Sequence, residues 1–272
     1  MTRVAEVLSA ARAEGRAALI GYLPAGYPSL QGAVDAIAAM VGAGVDVVEV
    51  GLPYSDPLMD GPTIQQAVEM ALRAGTSTDD VIDTVRSAAA DGTPALVMSY
   101  WNPIERYGSQ RFAESLNAAG GAGVITPDLT PDEAGGSGTG WLAATDAAGL
   151  DRIFLVAPSS TDERLRYTAE HCRGFVYAAS TMGVTGARGS VGAAAGRLVE
   201  RTRAVTDLPV CVGFGVSTGA QAAEVAAFAD GVIVGSALVR ALLDAPTPQA
   251  GEKAVAALAA ELAEGVRAGS RR

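Results

Sequence analysis

Two acids, Glu49 and Asp60, are placed where they could do chemistry together. Glu49 lies inside residues 45–50, VDVVEV, a run that otherwise has the composition of a buried parallel strand. An ionised group taken out of water costs roughly several kcal/mol unless it is paired, so a Glu one residue from such a strand's end needs a reason. A loop of fixed shape follows, with Gly51, Pro53, Pro57, Gly61 and Pro62, and it delivers Asp60 just before an apolar helical stretch. Taken singly, each acid has a structural explanation: Glu49 by a paired neighbour in the core, Asp60 by a helix-start turn, Asp56 by a solvated loop. A strand-end Glu followed by a rigid loop and a second acid is, together, the arrangement that general acid and base catalysis requires.

The elements that must position these acids repeat with one beat. Short apolar runs at residues 18–23, 45–50, 95–100, 122–126, 152–157, 174–179, 209–212 and 231–234 read as strands. Helical patterns lie between them, at 29–41 with Ser29 as cap, 63–73, 78–90, 108–119, 161–171, 191–205 and 219–228, and a last one at 252–266. Residues 101–103, Trp-Asn-Pro, read as loop, and the glycine cluster 135–140 reads as a flexible surface insertion within a helical unit. An additional helix at residues 2–13 should pack across the bottom. Eight strands alternating with helices predict an α/β fold, a (β/α)8 barrel of one domain spanning residues 1–272, with its active site at the strands' C-terminal ends. An open doubly wound sheet is the alternative.

Composition bounds the partners. A net charge of −10 argues against nucleic acid or an anionic membrane, since both select basic surfaces. The N-terminal residues carry Arg3, Glu6 and Arg12 among their apolar positions and do not read as a signal peptide, and no run has the length to span a bilayer, so a cytoplasmic protein is expected. Cys172 and Cys211 show no paired spacing and read as free thiols. His171 is the single histidine, which leaves almost nothing for a triad or a metal centre.

Residues 183–189, 213–215 and 235–236 form a second constellation, short loops with glycine where backbone N–H groups can approach a ligand. In barrels, the loops after the last two strands and a following helix N-terminus commonly hold a phosphate, and Ser236 opens such a helix. Tight turns without a ligand are the other reading of these glycines. Tyr22, Ile64, Tyr100, Leu129, Tyr177 and Phe214 fall at or just past strand ends, where they would line an apolar pocket or simply fill the barrel core.

The run VEVGLPYSDPLMDGPTIQ, residues 48–65, resembles the signature of the tryptophan synthase alpha subunit family, and the likeness extends over nearly the whole chain. That resemblance implies Glu49 and Asp60 as the catalytic pair. It implies phosphate binding at Gly186, Gly215, Gly235 and Ser236, with Gly213 beside them, and a sixth loop in which Thr185 contacts Asp60 when the site closes. Several of the pocket residues are similar to the family's indole-contacting positions. Three places depart from the pattern: Met59 where many members carry a small residue, Tyr100 where many carry an aliphatic one, and Thr181-Met182 where some carry Arg and Ser.

The reaction implied is retro-aldol cleavage of indole-3-glycerol phosphate to indole and glyceraldehyde 3-phosphate. Glu49 would shuttle the protons, and Asp60 would bind the indole N–H and stabilise the cation formed in the ring. The resemblance implies no cofactor and no metal in this chain. It also implies a beta subunit that carries pyridoxal phosphate, receives the indole and joins the alpha chain in an alpha-beta-beta-alpha heterotetramer, with Pro53 and Asp56 facing that partner. A stand-alone lyase, a non-catalytic barrel that activates a partner, and another phosphate-site barrel enzyme acting on phosphorylated sugars are the competing readings.

Overall fold

The computed structural model describes residues 2–136, 138–179, 191–213 and 215–269. Among them, nine strands form one sheet: β1 (Ala18–Pro24), β2 (Val47–Gly51), β3 (Ala95–Met98), β4 (Gly123–Ile125), β5 (Asp151–Ile153), β6 (Leu155–Val156), β7 (Val176–Ala179), β8 (Val210–Gly213) and β9 (Gly231–Val234). Every pairing is parallel, and the order is β5-β4-β3-β2-β1-β9-β8-β7-β6.

The two ends of that order are consecutive pieces of chain. β5 pairs with β4 and β6 pairs with β7, and only Phe154 separates them. Its carbonyl accepts the Tyr177 N–H at 3.2 Å. The fifth strand expected at residues 152–157 is therefore one strand that changes neighbour at a single residue, and the sheet closes there into a barrel of eight strand positions. An open sheet is excluded, because closure leaves no free edge at these strands.

Alternation along the strands divides the core in two. Ala18 and Ile20 of β1, Val47 of β2, Leu96 of β3, Ile153 of β5 and Cys211 of β8 pack together inside the barrel. Leu19, Leu23, Val48, Val50 and Val97, one residue out of step, pack outward against the helices. The helix Arg3–Ala13, capped by the Thr2 hydroxyl, adds Val4, Leu8 and Ala11 to the inner cluster and so covers the bottom of the barrel as expected.

Several boundaries differ from the sequence reading, each for a local reason. Residues 101–103 begin a helix, Trp101–Tyr107, instead of a loop. Pro103 falls in its first turn, where no backbone N–H is needed, and the Asp128 carboxylate accepts the Trp101 N–H at 2.9 Å. The last helix runs from Pro248 to Ala268, starting before residue 252 because the Thr247 hydroxyl caps it and Pro248 opens it. The described part of the segment 135–140 is tied down: the Thr139 hydroxyl donates to the Ala134 carbonyl at 2.8 Å, and the Ser109 hydroxyl donates to the Thr139 carbonyl at 2.9 Å. β2 begins at Val47 and runs to Gly51, which makes Glu49 its middle residue.

Candidate active site

Of the sequence-predicted residues, Tyr22, Glu49, Tyr177 and Gly213 lie on β1, β2, β7 and β8, and Asp60, Tyr100, Gly235 and Ser236 follow β2, β3 and β9. Glu49 stands opposite Tyr22 across the β1–β2 pairing and opposite Leu96 across β2–β3. Its side chain is 1% exposed, and its Oε1 has no hydrogen-bond partner among the described residues. Burial pushes its carboxyl up to about 8, so at neutral pH it holds its proton while remaining able to give it up. A group poised near the working pH is what proton transfer in both directions calls for.

Two tyrosines flank this acid. Burial raises the Tyr22 phenol well above its ordinary value, followed by the charges of Asp60 and Glu49; for Tyr177 the causes are burial, then Glu49. Both phenols therefore stay neutral beside an acid that titrates. Each tyrosine leans over a glycine of the next strand, two residues beyond its own pairing partner. Tyr22 pairs with Glu49 and overlies Gly51; Tyr177 pairs with Cys211 and overlies Gly213. A Cβ at Gly51 would fall within the Tyr22 hydroxyl, and one at Gly213 within that of Tyr177. The bare backbone expected at Gly213 for a ligand is thus also required by Tyr177 itself.

Asp60 comes from the loop after β2 and is partly buried. Burial raises its carboxyl, and a hydrogen bond from the Tyr100 hydroxyl draws it back down. That hydroxyl also accepts the Met59 N–H at 2.9 Å, and the Tyr100 ring tilts against Tyr54 with centroids 5.5 Å apart. Tyr54 is a further residue beside Tyr100 that no sequence pattern singles out. Its signal was only an aromatic residue beside Pro53 in a loop that already held an acid. Leu129 is buried and Ile64 half-buried, both in the apolar cluster that packs around the strands.

On the other side of β1, Gly235 lies against Tyr22 and precedes the helix Ser236–Leu243 at the end of β9, and Gly215 follows β8 with φ of 87°. Ser236 lies in a cleft with Thr63, Ser217, Ala237 and Arg240. The Arg240 guanidinium bonds the Thr63 hydroxyl and brings a positive charge to this cleft. No sequence pattern marks Arg240 as part of the site, although it stands one turn after Ser236. Thr185, Gly186 and Phe214, expected in the sixth loop and after β8, lie outside the described residues.

The loop after β2 turns an apolar point outward. Leu58 is 78% exposed and Asp56 is exposed, whereas Pro53, expected on the same outward face, is buried. Among the described residues, no group of three or more His, Cys, Asp and Glu could hold a metal ion. His171 sits at the end of the helix Asp162–His171, its Nδ1 2.8 Å from the Tyr167 carbonyl. No helix among the described residues is long and apolar enough to cross a membrane.

Residues 8–267 match the family described as tryptophan synthase alpha chain. The chain is 60% identical to the tryptophan synthase alpha chain of Thermobifida fusca, covering 100% of both chains, and 60% identical to that of Salinispora arenicola, covering 98% of each. Among solved structures, it resembles tryptophan synthase from M. tuberculosis in an aminoacrylate-bound form, at 53% identity over 98% of this chain and 100% of that one, with a TM-score of 0.88. The alpha subunit from Legionella pneumophila str. Paris is 34% identical over 98% of this chain and 99% of that one, also with a TM-score of 0.88. With a closed barrel, two acids at its C-terminal mouth and full-length identity of this order, the chain belongs to the tryptophan synthase alpha chain family.

Proposed function

We propose that this chain is a carbon–carbon lyase that cleaves indole-3-glycerol phosphate into indole and glyceraldehyde 3-phosphate, with Glu49 and Asp60 as the catalytic residues. The observation that carries the reading is Glu49 itself: a buried carboxyl whose Oε1 has no hydrogen-bond partner among the described residues, pushed up to about 8, with a second acid on the adjoining loop.

Glu49 donates its proton to C3 of the indole ring, which makes the ring an electron acceptor. The resulting carboxylate takes the proton of the C3′ hydroxyl. The carbon–carbon bond breaks, its electron pair returns to the ring, and the hydroxyl carbon becomes the aldehyde. Glu49 ends protonated as it began, so one group serves as acid and then as base. Asp60, ionised, accepts the indole N–H and stabilises the positive charge that the ring carries after protonation.

The apolar walls are assigned to Tyr22, Ile64, Tyr100, Leu129, Tyr177 and Phe214. The phosphate is assigned to Gly186, Gly213, Gly215, Gly235 and Ser236, where the N-terminus of the helix Ser236–Leu243 favours an anion. Thr185 is assigned the contact to Asp60 on closure. This chemistry calls for no cofactor and no metal in this chain. The proposed partner is a beta subunit carrying pyridoxal phosphate, met in an alpha-beta-beta-alpha assembly in the cytoplasm, with Asp56 and the loop around Pro53 at the contact. Product analysis separates this reading from a sugar-phosphate enzyme: indole and glyceraldehyde 3-phosphate should appear in equal amounts. Turnover of a phosphorylated sugar in place of the indole substrate would displace it.

A further inference from the structure

We propose that Tyr100 is a positioning residue for Asp60, its hydroxyl fixing the loop that carries the carboxylate to the end of β3. This rests on the proposed role of Asp60.

The backbone of Tyr100 is held from two sides. It is the capping position of the helix Trp101–Tyr107, whose first N–H is taken by Asp128, and the Ser99 hydroxyl donates to the Tyr100 carbonyl at 2.8 Å. The side chain is 5% exposed and its ring is braced by Tyr54. A rigid phenol thus projects from the scaffold toward the loop.

The loop has few ties of its own. At one end the Leu52 N–H bonds the Met98 carbonyl at 2.9 Å, and at the other the Gln65 amide donates to the Asp60 carbonyl at 2.6 Å. Between them Ser55, Asp56 and Leu58 are exposed. Among the described residues, the Met59 N–H bond to the Tyr100 hydroxyl, at 2.9 Å, joins the Tyr54 ring contact in tying the middle of the loop to the barrel.

A phenolic hydroxyl has one hydrogen to give and lone pairs to receive. With Met59 donating to it, its own hydrogen is free for the Asp60 carboxylate, and this bond lowers the Asp60 pKa. Burial pushes the phenol up to about 12, so the donor keeps its proton throughout the working range. A donor aimed at the charged form holds Asp60 ionised against the burial that opposes it, and an ionised Asp60 is the form that can stabilise a cationic ring. An aliphatic residue could wall the indole pocket equally well but could supply neither bond.

The test is steady-state lyase kinetics of the full chain across pH for the unaltered protein, Tyr100→Phe, Tyr100→Leu and Asp60→Asn, with thermal midpoints as a check of folding. Loss of a charge-assisted hydrogen bond is expected to lower kcat by about 10- to 100-fold in Tyr100→Phe, with KM within roughly threefold. The acid limb of the profile should move to higher pH, since losing the donor raises the Asp60 pKa. If Tyr100→Phe keeps kcat and its acid limb while Tyr100→Leu raises KM, Tyr100 is only an apolar wall and the proposal fails. Full activity in Asp60→Asn would remove the role of Asp60 and this proposal with it. Full activity in Tyr100→Phe beside an inactive Asp60→Asn removes the proposal alone.

Discussion

At Glu49 a single side chain opposes stability and serves chemistry. The carboxyl is raised in the folded chain to about 8 from its ordinary value near 4.5, so between those values the folded state binds more protons than the unfolded one. Stability from this group is therefore lost as pH climbs through that window, the reverse of a salt-bridged acid. Glu49→Gln, which cannot ionise, should gain thermal stability relative to the unaltered chain as pH rises from about 5, levelling off above about 8, with a gain of at most several kcal/mol. Thermal midpoints measured at intervals of pH check this; equal midpoints at every pH would show that Glu49 does not titrate in that window. The residue was legible in the sequence because a charged group interrupts a β-branched run, and Asp60 because a proline-framed loop leads to it. Tyr100 was legible only as an aromatic at a strand end. Its hydrogen bond to Met59 joins residues 41 apart, which no local pattern encodes.

Among the elements, the strands were placed well and the places where they meet were not. Alternation and turn residues mark a strand, but the step at Phe154, where the chain leaves β4 as neighbour and takes β7, depends on barrel closure and has no signal in residues 151–156. The helix Trp101–Tyr107 was hidden by Pro103, since a proline reads as a break unless its place in the first turn is known. The pairing of Tyr22 with Gly51 is likewise a property of two adjacent strands. Gly51→Ala should put a methyl group into the Tyr22 hydroxyl, costing roughly 1–3 kcal/mol in urea unfolding, with lyase activity falling as Tyr22 is displaced from beside Glu49. An unchanged midpoint with full activity would mean that the ring moves aside freely.

For the whole molecule, the loop between β2 and the helix Pro62–Arg73 has two faces, Asp60 with Tyr100 inward and Leu58 outward. Acidic composition pointed away from nucleic acid but could not show which surface a protein partner would cover. The exposed Leu58 supports the loop as that surface, because large apolar side chains at interfaces contribute disproportionately to binding. Leu58→Ser should weaken binding of a beta subunit by about tenfold while leaving the lyase rate of the isolated chain within roughly twofold, as read by titrating the partner against turnover. An unchanged titration curve would place the contact elsewhere. The most direct test of the whole account is release of indole from indole-3-glycerol phosphate by the purified chain, alone and with a beta subunit, beside Glu49→Gln and Asp60→Asn. Release should rise with the partner and fall by roughly 10²–10⁴-fold in Glu49→Gln, with a comparable collapse in Asp60→Asn. Full release in either folded variant, or none from the unaltered chain under both conditions, would contradict it.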